Sequence, residues 1–360
     1  MKKIKLFSPD FDQTEIDAVK KTINSGNWAS GSGTGNVKKF ENNFKKYTGA
    51  NDCVAVDSGT AALHLAISLS DIKNKEVLVP SLTFISTINA IKYNGGKPIF
   101  VDVDPITLNI DTEDIKEKIS EKSAMILPVY FGGLTNGISK IKKIAKQKQL
   151  QVISDAAHAC GSKINQKKIG SEFEYVCFSF HPVKNLAMPK GGAITINKSN
   201  FKPIRKKLNS LRWCGIDNRK NSLYDITNLG YNYYMDEISA TIGNIQLKKL
   251  EKMNRYKFYL AKQYFEELKT PQKMPITKDC SYHLYWIRVK NRKKFRKEMQ
   301  NKGIETGTHY QPAHLMSIFK KKSKLPITEE IAKEIVTLPI HSNIKKNDVE
   351  YIIKSVNSLL

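Results

Sequence analysis

Between residues 52 and 196, short apolar runs alternate with amphipathic stretches at a near-constant interval. Cys53 to Val56, Val77 to Val79, Pro98 to Val103, Met125 to Tyr130, Gln151 to Ser154, Tyr175 to Phe180 and Ala193 to Ile196 are apolar runs bounded by turn residues, which predicts strands. Between them, Ala61 to Leu69, Phe84 to Lys92 and Ile115 to Ile119 read as helices, the last capped by Asp111 with Asp114, and Ile138, Ile141, Ile144 and Ala145 share one helical face. Strands joined by helices of this length need crossover connections. The expected class is therefore α/β, with a doubly wound, mostly parallel central sheet. Ligands of such sheets collect outside the carboxyl ends of the strands, where Ser58, Pro80, Tyr130, Asp155 and Ser179 fall.

The flanks differ in texture. Gln13 to Ser25 and Val37 to Tyr47 read as helices, with a glycine and serine loop, Gly31 to Gly35, between them. No apolar strand precedes that loop, so neither dinucleotide nor Walker binding is expected there. From Asp236 through Leu268 a long helix carries Ile238, Ile242, Ile245, Leu250 and Met253 as one stripe. It is expected to join a large domain, residues 1–245, to a smaller α+β domain, residues 246–360. The smaller part reads as a strand Tyr285 to Val289, a helix Phe295 to Lys302 and a second strand near Ile304 to His309. A terminal helix follows, opened by Asn347 with Glu350 at capping-box spacing.

Composition sets limits on the class. The 360 residues include 59 Lys+Arg against 34 Asp+Glu, a formal net charge of +25. The lysines are spread over nearly every predicted helix, which describes a solvated face rather than a specific nucleic-acid site. The five cysteines, Cys53, Cys160, Cys177, Cys214 and Cys280, form no CxxC pair and are odd in number. They argue for a reducing compartment and against a zinc site, so no metal is expected. No secretory h-region follows the N-terminus and no run of about 18 uncharged apolar residues occurs, so a soluble cytoplasmic protein without a membrane span is expected.

Each candidate motif has an ordinary reading on its own. Ser58-Gly59-Thr60-Ala61 is a plain helix cap, or a turn whose free amides and helix dipole face an anion. Asp155, ending an apolar strand, is another cap, or a carboxylate that keeps a pyridinium nitrogen protonated, with His158 as donor to the ring's phenolate oxygen. Lys184 is a surface lysine, or an amine desolvated at the ligand end of a buried sheet. The order of the parts changes the weighting. A phosphate turn, a ring-holding aspartate, then a strand ending in Ser179 with a lysine in the following loop are what pyridoxal 5′-phosphate requires.

At this point the wording of the chain resembles the DegT/DnrJ/StrS-type pyridoxal-phosphate aminotransferases that act on nucleotide-linked keto sugars. The resemblance runs over Asp57-Ser58-Gly59-Thr60-Ala61-Ala62-Leu63-His64-Leu65, Pro80-Ser81-Leu82-Thr83-Phe84, Ile153-Ser154-Asp155-Ala156-Ala157-His158 and Phe178-Ser179-Phe180-His181-Pro182-Val183-Lys184-Asn185 with its spaced Gly191-Gly192. It continues through Gly230-Tyr231-Asn232-Tyr233 and Gly303-Ile304-Glu305-Thr306-Gly307-Thr308-His309-Tyr310.

The resemblance implies the fold-type I aminotransferase architecture, with Lys184 carrying the cofactor as a Schiff base and shuttling the proton. It implies Asp155 at the pyridine nitrogen, Phe84 on the ring face, His158 near the phenolate, and Ser58, Gly59, Thr60 and Ser179 at the phosphate. Asn232 would reach the phosphate of a neighbouring subunit in a homodimer with shared sites, and His309 and Tyr310 would approach the sugar nucleotide. Glutamate would be the amino donor, pyridoxamine phosphate the intermediate form, and surface polysaccharide or glycan biosynthesis the setting. Two positions depart from the family wording: Lys190 stands where glutamate is usual, and Tyr234 where arginine is usual. The alternatives are a sugar dehydratase of the same fold, which would carry histidine at position 184, and a regulatory or nucleic-acid-binding protein on this scaffold.

Overall fold

The structure is a computed structural model that describes residues 3–319 and 323–360. Its strands are β1 (Asp52–Val56), β2 (Glu76–Pro80), β3 (Lys97–Val101), β4 (Ser123–Ile126), β5 (Gln151–Asp155), β6 (Lys163–Ile164), β7 (Lys167–Lys168), β8 (Tyr175–Ser179), β9 (Gly192–Ile196), β10 (Ile216–Lys220), β11 (Leu223–Ile226), β12 (Tyr285–Arg288) and β13 (Ile335–Leu338). The helices used below are α1 (Gln13–Asn24), α2 (Gly35–Thr48), α3 (Gly59–Ile67), α4 (Ser86–Tyr93), α5 (Thr112–Lys118), α6 (Ile138–Lys148), α7 (Phe201–Arg212), α8 (Glu237–Glu267), α9 (Arg292–Asn301), α10 (Pro326–Glu334) and α11 (Lys346–Asn357).

Seven strands form one sheet in the order β1-β9-β8-β5-β4-β2-β3. The β5–β8, β4–β5, β2–β4 and β2–β3 pairs are parallel, and β9 runs antiparallel to both β1 and β8. Side chains alternate across the sheet. Leu78, Ile126 and Val176 face a core with Phe40, Phe44 and Ile141, from α2 and α6. Val77, Val79, Ile153 and Cys177 face the opposite core with Ala62, Leu65 and Ile91, from α3 and α4. A third cluster joins Leu82, Val103 and Phe131 to Tyr285, Ile287, Val336 and Ile352.

The long helix α8 is capped by Asp236, whose carboxylate accepts the Ser239 amide. Its Leu250 and Met253 lie in the α2/α6 core, whereas Leu260, Ala261 and Tyr264 lie in the third cluster. Residue 245, the expected domain junction, falls inside this uninterrupted helix.

Several local expectations are corrected. Strand β4 stops at Ile126 because Pro128 has no amide to donate, and the chain rejoins β5 only through a bridge between Val129 and Asp155. Ile304 to His309 is not a strand: Ile304 bridges Ile4, Gly307 alone bridges Thr337, and the Thr306 carbonyl accepts from Arg296. The partner of β12 is instead β13. Helix α11 is capped at Lys345, two residues before Asn347, and Asp348, not Glu350, reaches back to accept the Lys345 amide at 3.2 Å. Helix α7, the β10–β11 hairpin and α10 had no counterpart in the sequence reading.

The glycine loop has a packing explanation. A Cβ on Gly31 would lie 2.1 Å from the Trp213 ring, and one on Gly33 2.0 Å from Arg212 Nη2. The α2 N-terminus beyond it already holds the Glu237 carboxylate, 2.5 Å from the Asn36 amide. Among the described residues no helix is long and apolar enough to cross a membrane, and no group of three or more His, Cys, Asp or Glu is arranged to hold a metal ion.

Candidate active site

The carboxyl ends of β5 and β8 open on a cavity of about 380 Å³. Ser58, Gly59, Thr60 and Ser179 line it, as do Asp155, His158 and Lys184. Phe84, His309 and Tyr310 complete the predicted set within the cavity wall. Asn232 is exposed and lies outside it, in a bridge with Trp213.

Helix α3 starts where β1 ends. Ser58 is extended at the cap; its Oγ accepts the Ala61 amide at 3.1 Å and donates to Asp57 at 3.0 Å. The first-turn amides of Gly59 and Thr60 have no intrahelical acceptor, and the helix dipole adds partial positive charge there. Ser179 sits directly against this turn: a Cβ on Gly59 would be 2.7 Å from the Ser179 Cβ. Two amides and nearby hydroxyls are thereby gathered at one end of the cavity.

Asp155 is buried at the end of β5. Its Oδ2 accepts from Thr87 Oγ1 at 2.8 Å and its Oδ1 from the Ala157 amide at 3.0 Å. Burial pushes its carboxyl above the usual range, opposed by those two hydrogen bonds and by the Lys184 charge. A desolvated carboxylate of this kind is stabilised by a cationic N–H donor.

Lys184 stands on a loop closed by two backbone bonds, the Phe180 amide to the Gly191 carbonyl at 2.8 Å and the Met188 amide to the Phe180 carbonyl at 2.7 Å. Asn185 ties the loop to the neighbouring elements, donating to Asn254 Oδ1 at 2.8 Å and to the Ser281 carbonyl at 2.6 Å. Burial lowers the Lys184 amine from 10.5 to about 8, while Asp155 pulls it upward. Near neutrality a useful fraction of this amine is uncharged, as a nucleophile or base requires.

His158 accepts the Gly132 amide on Nδ1 at 3.3 Å, so its proton is on Nε2, 3.1 Å from the Tyr310 hydroxyl. Burial holds it neutral, well below its usual range. His309 is kept neutral in the same way, down to about 4, with Nδ1 2.8 Å from Thr337 Oγ1. Phe84 precedes α4 and is 57% exposed, its ring 6.1 Å from that of Tyr310. Lys190 lines the mouth and pairs with Asp57 at 3.0 Å, whereas Tyr234 is half-buried.

Two site residues escaped the sequence reading. His283 Nε2 lies 3.3 Å from Lys184 Nζ, and its ring is 4.3 Å from His158. Phe7 stacks on His283 at 5.7 Å and meets His309 edge-on at 5.8 Å. A lone histidine before a strand and a phenylalanine in an N-terminal segment carry no motif. The bridge between Ile4 and Ile304, the Leu6 amide donating to Glu305 at 3.1 Å and His341 at the Lys5 carbonyl bring that segment to the cavity.

The model of the DegT/DnrJ/EryC1/StrS aminotransferase family matches residues 9–357. The chain is 36% identical over 355 residues to dTDP-3-amino-3,6-dideoxy-alpha-D-galactopyranose transaminase of Aneurinibacillus thermoaerophilus, covering 96% of this chain and 95% of that one. It is 31% identical over 365 residues to GDP-perosamine synthase of Escherichia coli O157:H7, covering 99% and 98%. Spr1654 of Streptococcus pneumoniae, solved in a PLP-form, superposes with a TM-score of 0.94 at 25% identity, covering 99% of this chain and 98% of that chain.

Proposed function

Because the chain belongs to the DegT/DnrJ/EryC1/StrS aminotransferase family, we propose that it transfers an amino group to the keto carbon of a nucleotide-linked sugar. It is an aminotransferase and its cofactor is pyridoxal 5′-phosphate. The two relatives named above, one a transaminase and one a synthase, carry a dTDP-linked amino sugar and a GDP-linked sugar in their names, which supports the nucleotide-sugar reading over a dehydratase or a regulatory protein.

The residues present fit the cofactor. The Gly59 turn, with no room for a side chain against Ser179, leaves backbone amides for a phosphate. The buried Asp155 carboxylate suits a protonated ring nitrogen, and the depressed Lys184 amine suits an aldehyde. The joint placement of Lys184, Asp155 and the α3 N-terminus around one cavity is the observation that carries this reading.

Bound there, the cofactor supplies an aldehyde and a ring that takes up the electron pair released when a donor C–H bond breaks. Lys184 Nζ takes that proton when neutral and returns it when charged, acting as base and then acid. Asp155 holds the ring-nitrogen proton. Ser58, Gly59, Thr60 and Ser179 would bind the phosphate, and Phe84, at the rim, would lie against the ring. His158, donating from Nε2, serves the phenolate side, and His309 and Tyr310 orient the sugar nucleotide. Glutamate is the proposed donor, the cytoplasm the proposed location, and a homodimer the working unit, in which Asn232 completes the partner's phosphate site.

Protein loaded with pyridoxamine phosphate and offered a panel of nucleotide-linked keto sugars should convert one of them to an amino sugar of matching mass. Amination of simple 2-oxo acids with no nucleotide sugar converted would replace this reading with an amino-acid aminotransferase.

A further inference from the structure

A second, much smaller chamber adjoins Lys184. Its volume is about 10 Å³, and Lys184, Asn185, Lys257, Gln246 and His341 are in its wall. That volume is about what one water molecule needs, provided polar partners surround it. The partners are present. Gln246 Nε2 donates to the Asp10 carbonyl at 2.6 Å and to Glu15 at 2.8 Å, which leaves its buried Oε1 without a donor. His341 Nε2 donates to the Lys5 carbonyl at 3.0 Å, so its Nδ1 is a bare acceptor, also buried and unpartnered. Lys257 is 6% exposed, and among the described residues its one acceptor is Asn185 Oδ1 at 3.0 Å. Two acceptors lacking donors and two amines with donors to spare therefore share a space one water wide.

We propose that Lys257 is a positioning residue for Lys184: the two amines face one buried, water-bridged chamber across which the charge on one governs the charge on the other. Two like charges in a desolvated space disfavour each other strongly. Around Lys184 the other titratable groups are Asp155, His158, His181, His283 and His309, and the histidines are all pushed toward the neutral form by burial. Around Lys257 stand Cys160, Cys280, His283 and His341, all neutral near pH 7 by burial. Lys257 is thus the one neighbour in this set that carries positive charge close to the working range, burial and Lys184 holding it at about 7. The bridging water donates to Gln246 Oε1 and His341 Nδ1 and accepts from Lys257.

This proposal rests on Lys184 being the reactive lysine, which borohydride trapping tests separately. The full chain, freed of cofactor, is treated with cyanate across the neutral to alkaline range, and carbamoylation of the Lys184 peptide is followed by mass spectrometry. Lys257→Arg, which keeps a permanent charge, should lower the half-titration pH of Lys184, and Lys184→Met, followed on the Lys257 peptide, should raise that of Lys257, each by about one pH unit. Each variant is read against the parent protein, so either alone decides. A purely structural role would change thermal stability and leave the Lys184 titration where it was, and that result would overturn the proposal. A crystal structure showing water between Gln246 and His341 would support the bridge; a chamber without density would remove it.

Discussion

Lys184 is usable as a base because burial outweighs the attraction of Asp155, leaving its amine at about 8 rather than 10.5. Lys184→Ala is expected to abolish covalent trapping: after borohydride reduction the parent protein should carry the cofactor on the Lys184 peptide, and the variant should carry none. Asp155→Asn keeps the hydrogen bond to Thr87 within reach but removes the charge offered to a ring nitrogen. A hydrogen bond to a charged group contributes roughly 1.5–3 kcal/mol. Cofactor affinity should therefore fall roughly 10- to 100-fold, read by titrating cofactor-free protein and following absorbance. The lysine and the aspartate were legible because each follows a strand in a block of recognisable wording. His283 was not, since its contact with Lys184 spans 99 positions and depends on Asn185 fastening the lysine loop to the Ser281 carbonyl.

At the scale of elements, the Ser58 turn is held in place by an ion cluster beneath β1. Arg212, fully buried at the end of α7, donates to Glu41 and to the Ala55 carbonyl, both at 2.7 Å. Arg205 pairs with Asp52 at 2.7 Å and also with Glu41. Glu41→Ala would leave the Arg212 guanidinium buried without its carboxylate, a loss of about 3–5 kcal/mol. A lowered urea midpoint is the expected readout. The strands of the sheet are legible in the sequence because their apolar runs are bounded by turn residues. Ile304 to His309 carries a strand-like pattern, yet its backbone groups go to three different partners. Helix α7 carries no comparable signal, because the burial of its Arg212 depends on Glu41 and the Ala55 carbonyl from distant segments.

For the whole molecule, two desolvated lysines, the half-buried Lys184 and the buried Lys257, set the direction of the pH dependence. Their folded values, about 8 for Lys184 and about 7 for Lys257, lie below the ordinary 10.5. Between those values the unfolded chain binds more protons than the folded one, so stability rises with pH. Above the ordinary thiol value of 9.0, the buried Cys53, Cys160 and Cys177 act in reverse, because only the unfolded chain releases their protons. The urea midpoint of cofactor-free protein should climb from pH about 7 toward 9 and then level or fall. Asn232, exposed and outside the cavity of its own chain, is testable at the same scale. In a sedimenting dimer, Asn232→Ala should weaken cofactor binding while leaving the Lys184 titration intact; unchanged binding would argue against a shared site. The sequence by itself determined the class of sheet, the order of the cofactor motifs and the strand ends they occupy, because these depend on local periodicity and turn chemistry. Only the tertiary structure decided which histidines stay neutral, that Phe7 reaches the cavity and that a second lysine stands behind Lys184. Each of those depends on burial and on contacts between distant segments, which no local pattern encodes.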